Sequence, residues 1–296
     1  MNIFNHPKVS IGMPVYNGES FIREALDSLI NQTFVDFELI ISDNASTDGT
    51  EALCLEYAEK DQRIRYVRQT ENIGGLYNFK FVLDEAVGEY FMWAAHDDWR
   101  SVDFLDINVL ALDSNPQFVA STSPCCYIGD EFNSSKHVLF ELDGSKGKRY
   151  LNFLQNAWYS HSIFYSLIRR NVIKELDLSS YNHAAMDWIF DLKLLSKGKI
   201  YQTNYGLLAL GRCGYSNSGN PWRRSRVCFI ETIIPLYYFS CFSIVLSRDL
   251  TMIERIPFCL VLFRLNFEAF KSNLSLELKM FRVRIQSYFQ LYKTSL

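Results

Sequence analysis

Two nucleotide-cradling motifs are missing from this 296-residue chain: neither Gly-x-Gly-x-x-Gly nor Gly-x-x-x-x-Gly-Lys-Ser/Thr occurs. A nucleotide diphosphate bound here must therefore find its compensating charge elsewhere. The seven cysteines form no Cys-x-x-Cys pair and no metal-ligand spacing with histidine. That excludes a disulfide frame and predicts buried thiols in a reducing compartment. No apolar run reaches the ~20 residues of a spanning helix. The nearest, TIIPLYYFSCFSIVL (232–246), contains Pro235 and is bounded by Glu231 and Arg248, so an interfacial or buried helix is expected. The opening residues MNIFNHPK lack the apolar stretch of a signal peptide, which predicts a cytoplasmic protein. There is no internal repeat or low-complexity tract. With 48% hydrophobic and 21% charged residues, the chain has the balance of a globular protein rather than a disordered one.

The net charge of −3 conceals an asymmetry. Residues 223–296 hold eleven Lys/Arg against five Asp/Glu, leaving nineteen against twenty-eight in residues 1–222. An acidic body argues against nucleic acid as the ligand. The basic, aromatic-rich tail suits a negatively charged partner such as an anionic membrane surface; a helical cap or an oligomer interface is the other reading.

Along residues 9–123 two periodicities alternate. VSIGMPVY (9–16), FELIIS (37–42), IRYVRQ (64–69), EYFMWAA (89–95) and FVASTS (118–123) are short apolar or β-branched runs. Between them, Glu19–Ile30, LYNFKFVLDEAV (76–87) and VDFLDINVLALDS (102–114) repeat at helical spacing, and Asp48–Glu51 reads as a capping box opening another helix. This alternation predicts a doubly wound α/β fold with a mostly parallel sheet and flanking helices. SIFYSLIRR (162–170) reads as a strand, and AAMDWIFDLKLLSKG (184–198) as a helix stopped by Gly198. IYQTNYGLLAL (200–210) reads as extended, and the chain beyond Trp222 as a C-terminal helical extension. LELKMFRVRIQSYF (276–289) fits strand and helix equally. The expected divisions are 1–128, the first α/β half; 129–221, the second half of the same domain; and 222–296, a C-terminal helical, basic-aromatic extension.

Ligands of open α/β sheets sit beyond the carboxyl ends of the strands. Tyr16-Asn17, Asp43-Asn44, Asn72-Gly74 and Asp97-Asp98 fall there. A nucleotide stacks on Tyr16 and hydrogen-bonds to Asp43. The adjacent acids of WAAHDDW (93–99) end an apolar strand, where only a solvated turn or a cation tolerates them. Their neighbours favour a hard divalent cation.

VSIGMPVYNGESF, LIISDNASTDGT and NIGGLYNFKFVLDEAVGEYFMWAAHDDW, in that order, resemble the nucleotide-binding half of the family 2 inverting glycosyltransferases of GT-A fold. The likeness covers about residues 8–125 and continues more weakly through AAMDW (184–188) to GRCGYSNSG (211–219). It implies a nucleotide-diphosphate sugar donor, a glycan or lipid-linked acceptor, and Mg²⁺ or Mn²⁺. Pro14, Tyr16, Asn17, Glu19, Asp43, Asn72, Gly74 and Asp97 would bind the nucleotide. Asp98, with Asp97, would hold the metal. Asp187 would be the general base that takes the acceptor proton, with Asp191 a turn later on a solvated helix face. Arg212 would contact the diphosphate or order the acceptor loop, and Trp158, His161 and Tyr165 would line the acceptor pocket. Ala95 stands where many relatives carry the first acid of Asp-x-Asp, and Met186 stands where they carry Glu. These departures keep a non-catalytic nucleotide-sugar-binding module in view. A sugar nucleotidyltransferase would need a basic loop that GMPVYNGES lacks.

Overall fold

A computed structural model describes residues 6–129, 142–178, 185–211 and 228–294, with side chains of the last helix described through Arg282. Buried β1 (Val9–Val15), α1 (Ile22–Ile30), β2 (Phe37–Asp43), α2 (Thr50–Lys60), β3 (Ile64–Arg68), α3 (Gly75–Asp84) and β4 (Tyr90–Trp93) form the first winding. β5 (Trp99–Arg100), α4 (Phe104–Ser114), β6 (Phe118–Thr122) and β7 (Cys125–Tyr127) follow. Then come α5 (Lys146–Gln155), α6 (His161–Phe164), β8 (Leu167–Arg169), α7 (Arg170–Lys174), α8 (Met186–Lys197), β9 (Lys199–Gln202) and β10 (Leu208–Leu210). The chain closes with α9 (Tyr237–Leu246) and α10 (Met252–Thr294).

Seven strands form one sheet in the order β3-β2-β1-β4-β8-β6-β9. All neighbours are parallel except β8, which runs antiparallel between β4 and β6. The expected α/β fold with a mostly parallel sheet, flanking helices and a helical C-terminal stretch is therefore present. A second sheet, β5-β10-β7, pairs the segment just after Asp98 with the segment just before Gly211.

Several local expectations are corrected. The run 162–170 is not one strand: α6 occupies 161–164, and the strand begins at Leu167, because the polar Ser160 and Ser162 are buried in a tight helical turn rather than alternating. The capping box at Asp48 does not form. Gly49 is the N-cap of α2, and its N–H donates to Glu19 instead, at 2.9 Å. Residues 276–289 are helical throughout. The described cysteines are free thiols, but Cys241 and Cys259 are exposed rather than buried.

The sheet is covered on both faces, as a parallel sheet requires. Ile11, Met13, Leu26, Leu29 and Leu105 belong to one core layer. The other is aromatic and centres on Trp93 at the end of β4. Trp93 stacks on Phe164 (5.0 Å between ring centroids, 9° between planes) and meets Phe190 of α8 edge-on at 5.2 Å. Its indole N–H donates to the Phe79 carbonyl at 3.1 Å. One side chain thus braces the fourth strand against α3, α6 and α8. Replacing it with alanine removes contacts on all three sides, and Trp93→Ala is expected to cost about 3–5 kcal/mol in urea unfolding.

Candidate active site

The loops that leave β1, β2, β3 and β4 meet at the carboxyl edge of the sheet, and hydrogen bonds knit them together. Asn17 donates its N–H to Ser46 Oγ (2.9 Å), and its side-chain oxygen accepts from the Thr47 N–H (2.8 Å). Asn44 donates to the Asn72 side-chain oxygen (2.9 Å) and accepts from the Ile73 N–H (2.8 Å). Asn72 also receives the Gly74 N–H. Glu19 accepts from Gly49 and sends its own N–H to Asp48. Pro14 pairs in register with Ser42 inside the sheet. Tyr16 stands at this edge with 46% of its surface exposed, an open ring face. The non-glycine residues with left-handed backbone among those described, Asn17, Ala45 and Ala185, all lie in loops that carry this site. Strained backbone collects where the surrounding fold over-determines it.

Asp43 is fully buried at the end of β2. Its Oδ1 accepts from the Ser46 N–H (2.8 Å); its Oδ2 accepts from the Tyr66 hydroxyl (2.8 Å) and from Arg68 (2.9 Å). Sequence reasoning missed Tyr66 and Arg68. Their spacing of two puts them on one face of β3, and Arg68 is the register partner of Asp43. A carboxylate has about four acceptor positions, so Oδ1 keeps capacity for one further donor.

The acidic pair lies beside this edge. Asp98 is 3% exposed; its Oδ1 accepts from the Gly211 N–H (3.0 Å), and its Oδ2 is buried with no protein partner. Burial pushes its carboxyl up to about 6, against the pull of the Arg100 guanidinium. Arg100, also missed from sequence, is 1% exposed. It donates to the Trp93 carbonyl at 3.2 Å, and its Nε and Nη1 have no partner. Burial lowers its pKa while Asp98 opposes that. Gly211 admits no side chain: a Cβ there would lie 2.2 Å from Asp97 Oδ2. A Cβ on Gly18 would lie 2.7 Å from His96 Cδ2, so the His96 ring closes the gap between the first and fourth loops. Burial lowers the His96 pKa, opposed by Asp97 and Asp48.

Asp187 lies in the first turn of α8 and receives the Trp188 N–H at 3.0 Å. Burial raises its pKa, and the charge of nearby His161 opposes the rise. Tyr165 joins the two halves. Burial first, then the negative charges of Asp98, Asp97 and Asp187, raise its hydroxyl well above the ordinary range. One phenol therefore senses both the acidic pair and the candidate base. His161 sits at the start of α6, its ring edge-on to Tyr127 at 5.9 Å. Trp158 lies further back, edge-on to Trp188 at 4.9 Å and donating to Glu268 of α10 at 3.0 Å. Asp191 is not on a solvated face: it is 1% exposed, its Oδ1 has no partner, and burial pushes its carboxyl well above the ordinary range. Arg212 lies outside the described residues; its neighbour Gly211 is at the site.

Among the described residues no group of three or more His, Cys, Asp or Glu gathers to hold a metal ion. Asp98 Oδ2 is nonetheless a buried, unpartnered oxygen next to a second carboxylate. That donor set fits a hard divalent cation that completes its shell with ligand phosphate oxygens.

A mostly parallel sheet with flanking helices on both faces and an acidic pair after its fourth strand has the architecture of the GT-A fold. The profile of Glycosyl transferase family 2 matches residues 10–177, and the chain belongs to that family. It is 26% identical over 215 residues to glycosyltransferase GlyA of Streptococcus pneumoniae, covering 71% of this chain but 27% of GlyA. An uncharacterised glycosyltransferase of Haemophilus influenzae is 29% identical over 195 residues, 66% of this chain and 74% of that protein. The chain therefore spans about a quarter of GlyA's length and three quarters of the Haemophilus protein's.

Solved structures with the same fold include Staphylococcus aureus TarS 1–349 in complex with UDP-GlcNAc (TM-score 0.63, 18% identity, 84% of this chain and 69% of that one). Another is the mannosyltransferase PcManGT of Pyrobaculum calidifontis in complex with GDP-Man and Mn²⁺ (TM-score 0.60, 18% identity, 92% and 74%).

Arg68 offsets the charge of fully buried Asp43 while remaining half-exposed itself. Removing it leaves buried Asp43 with neutral donors alone, so Arg68→Met is expected to lower the midpoint of denaturant unfolding, with an unchanged m-value.

Proposed function

We propose that the chain is an inverting glycosyltransferase that moves a sugar from a nucleotide-diphosphate donor to a hydroxyl of a growing cell-surface glycan or lipid-linked oligosaccharide. The observation that carries this reading is the convergence of Asp97, Asp98 and Asp187 on Tyr165. That shared influence on one phenol supports a reading in which a cation-binding pair and a carboxylate base serve the same reaction.

On the donor side, Tyr16 offers its exposed ring to the base, and Asp43 Oδ1 accepts from the base's ring edge. Asn17, Glu19, Asn72 and Gly74 hold the loops in the shape the nucleotide meets, and Pro14 sets the end of β1. Asp97 lies toward the ribose. Asp98, with Asp97, would hold Mg²⁺ or Mn²⁺; when bound, the ion neutralises charge developing on the leaving diphosphate. With Ala95 in place of an acid, Asp98 carries most of that task. Complexes of fold neighbours with UDP-GlcNAc, GDP-Man and Mn²⁺ support this donor class and ion.

Asp187 accepts the proton of the acceptor hydroxyl as the hydroxyl oxygen attacks the sugar's anomeric carbon from the face opposite the departing diphosphate, which inverts the configuration. A base works only when ionised, and burial raises the pKa of this one. His161, Tyr165 and Asp191 are the titratable groups around it. His161 borders the acceptor side and Trp158 supports it from behind; Arg212 is assigned by the family resemblance alone to the diphosphate or to ordering the acceptor loop. An acceptor of this kind places the reaction at the cytoplasmic face of a membrane. Among the described residues no helix is long and apolar enough to cross one.

Two measurements check the assignment. Asp187→Asn is expected to lower kcat by about 10²–10⁴-fold with little change in nucleotide affinity. In the unchanged protein the rate should fall as pH drops through a pKa above the ordinary aspartate range. Near-normal transfer by Asp187→Asn would remove the base from the scheme. In a thermal-shift panel of nucleoside diphosphates, stabilisation should require Mg²⁺ or Mn²⁺, and Asp98→Asn should abolish the cation-dependent part. Tight nucleotide binding without any turnover would favour a binding module instead.

A further inference from the structure

The C-terminal helix α10 runs for 43 residues, about 64 Å at the α-helical rise. One face is docked: Phe258, Leu262, Leu265 and Ala269 are buried in the aromatic core layer. The opposite face carries Ile256, Leu260, Phe263, Phe267, Leu274 and Phe281, all large, apolar and exposed, with Phe263 at 75%. Steps of three, four or seven residues keep these side chains on one stripe, about 150° around the helix from the docked residues. Along one edge of the stripe run Arg264, Lys271 and Arg282, with Lys279 further round toward the docked face. Of the nearby acids, Glu268 is paired with Arg264 at 2.8 Å, and Glu277 lies on the opposite edge. A second exposed apolar group, Phe229, Ile230 and Ile233, occupies the turn whose Thr232 carbonyl accepts from Asn273 of α10 at 3.3 Å.

We propose that this stripe is a docking surface for an anionic lipid bilayer. The helix lies in the interface, with its phenylalanines in the acyl boundary and its basic edge against the headgroups. An apolar face of this extent in water needs a cover. A basic border beside a Phe-rich stripe complements an anionic interface. A two-helix seam, by contrast, is built from Leu and β-branched residues rather than repeated phenylalanine. The charge distribution agrees: the excess of basic residues lies after residue 222, while the body that carries the nucleotide site is acidic, so the body is held off the lipid as the tail settles on it. The proposal stands whether or not the chain transfers sugar, and its test needs no donor.

The experiment is flotation of the full chain with vesicles of phosphatidylcholine, either alone or containing about one third phosphatidylglycerol, at low and high salt. The expected result is co-flotation with the anionic vesicles only, weakened by salt. Phe263→Ser, Phe267→Ser and Phe281→Ser combined, all on the exposed face, should reduce partitioning at least tenfold. Lys271→Glu with Lys279→Glu should reduce it about tenfold or more while leaving the unfolding midpoint unchanged. The proposal is overturned if the unaltered chain stays with the soluble fraction, or if the triple variant floats as well as the original. It is also overturned if the chain sediments as a dimer that the triple variant splits, which would make the stripe an interface between copies.

Discussion

A carboxylate taken out of water needs a positive partner or a proton, and Asp98 has neither within contact. One oxygen accepts a backbone N–H from Gly211; the other is buried and empty-handed. Arg100 supplies opposite charge nearby without forming an ion pair, and its own Nε and Nη1 are unsatisfied. Desolvation of this kind is costly in a structure that has no use for it. Here it sits at the carboxyl edge of a parallel sheet, where a cation and a diphosphate would supply what both residues lack. Much of the surrounding architecture serves to keep that oxygen in place. β5 and β10 clamp the chain on either side of the pair, Gly211 makes room for Asp97, and His96 wedges against Gly18.

The same strand that presents the acids also braces the helix that carries Asp187. Trp93, four residues before Asp97, packs on Phe164, the residue before Tyr165, and on Phe190, three residues after Asp187. The acidic pair and the Asp187 helix are therefore linked through one aromatic core layer. In the helix that carries Asp187, Trp188 packs edge-on against both Trp158 and Phe239, and Glu268 of α10 fixes the Trp158 indole. The C-terminal extension thus supports the Asp187 helix from behind while its outer apolar face stays exposed.

Much of this was legible in the residue pattern because it rests on local periodicity. The apolar runs at 9–16, 37–42, 64–69 and 89–95 became four strands in the order that places their polar ends together, and the Asp187 helix ended at Gly198 as expected. What escaped depended on contacts distant in sequence. Arg100 follows an acidic turn, where an arginine ordinarily faces water; only pairing of β5 with β10 buries it. Asp191 has helical spacing consistent with either face, and the packing of α6 and α9 against α8 decides which one is buried. At 161–164 the apolar run gave no sign of a helical turn. The Asp48 signal was shared out: Asp48 accepts from the Thr50 N–H, the first of α2, while Glu19, from another loop, takes the Gly49 N–H. Residues 276–289 fit both periods because apolar positions occur every two and every three to four residues; continuity with the preceding turns selects the helix.

The claim on which the rest depends is that the empty oxygen of Asp98 is a cation position completed by a nucleotide diphosphate. The most direct measurement is anomalous diffraction from crystals of the chain grown with Mn²⁺ and a nucleoside diphosphate. The account predicts a manganese peak within coordination distance of Asp98 Oδ2, bridging to the diphosphate, with the base against Tyr16. A nucleotide bound with no metal at Asp98, or bound away from the carboxyl ends of β1, β2 and β4, would contradict it.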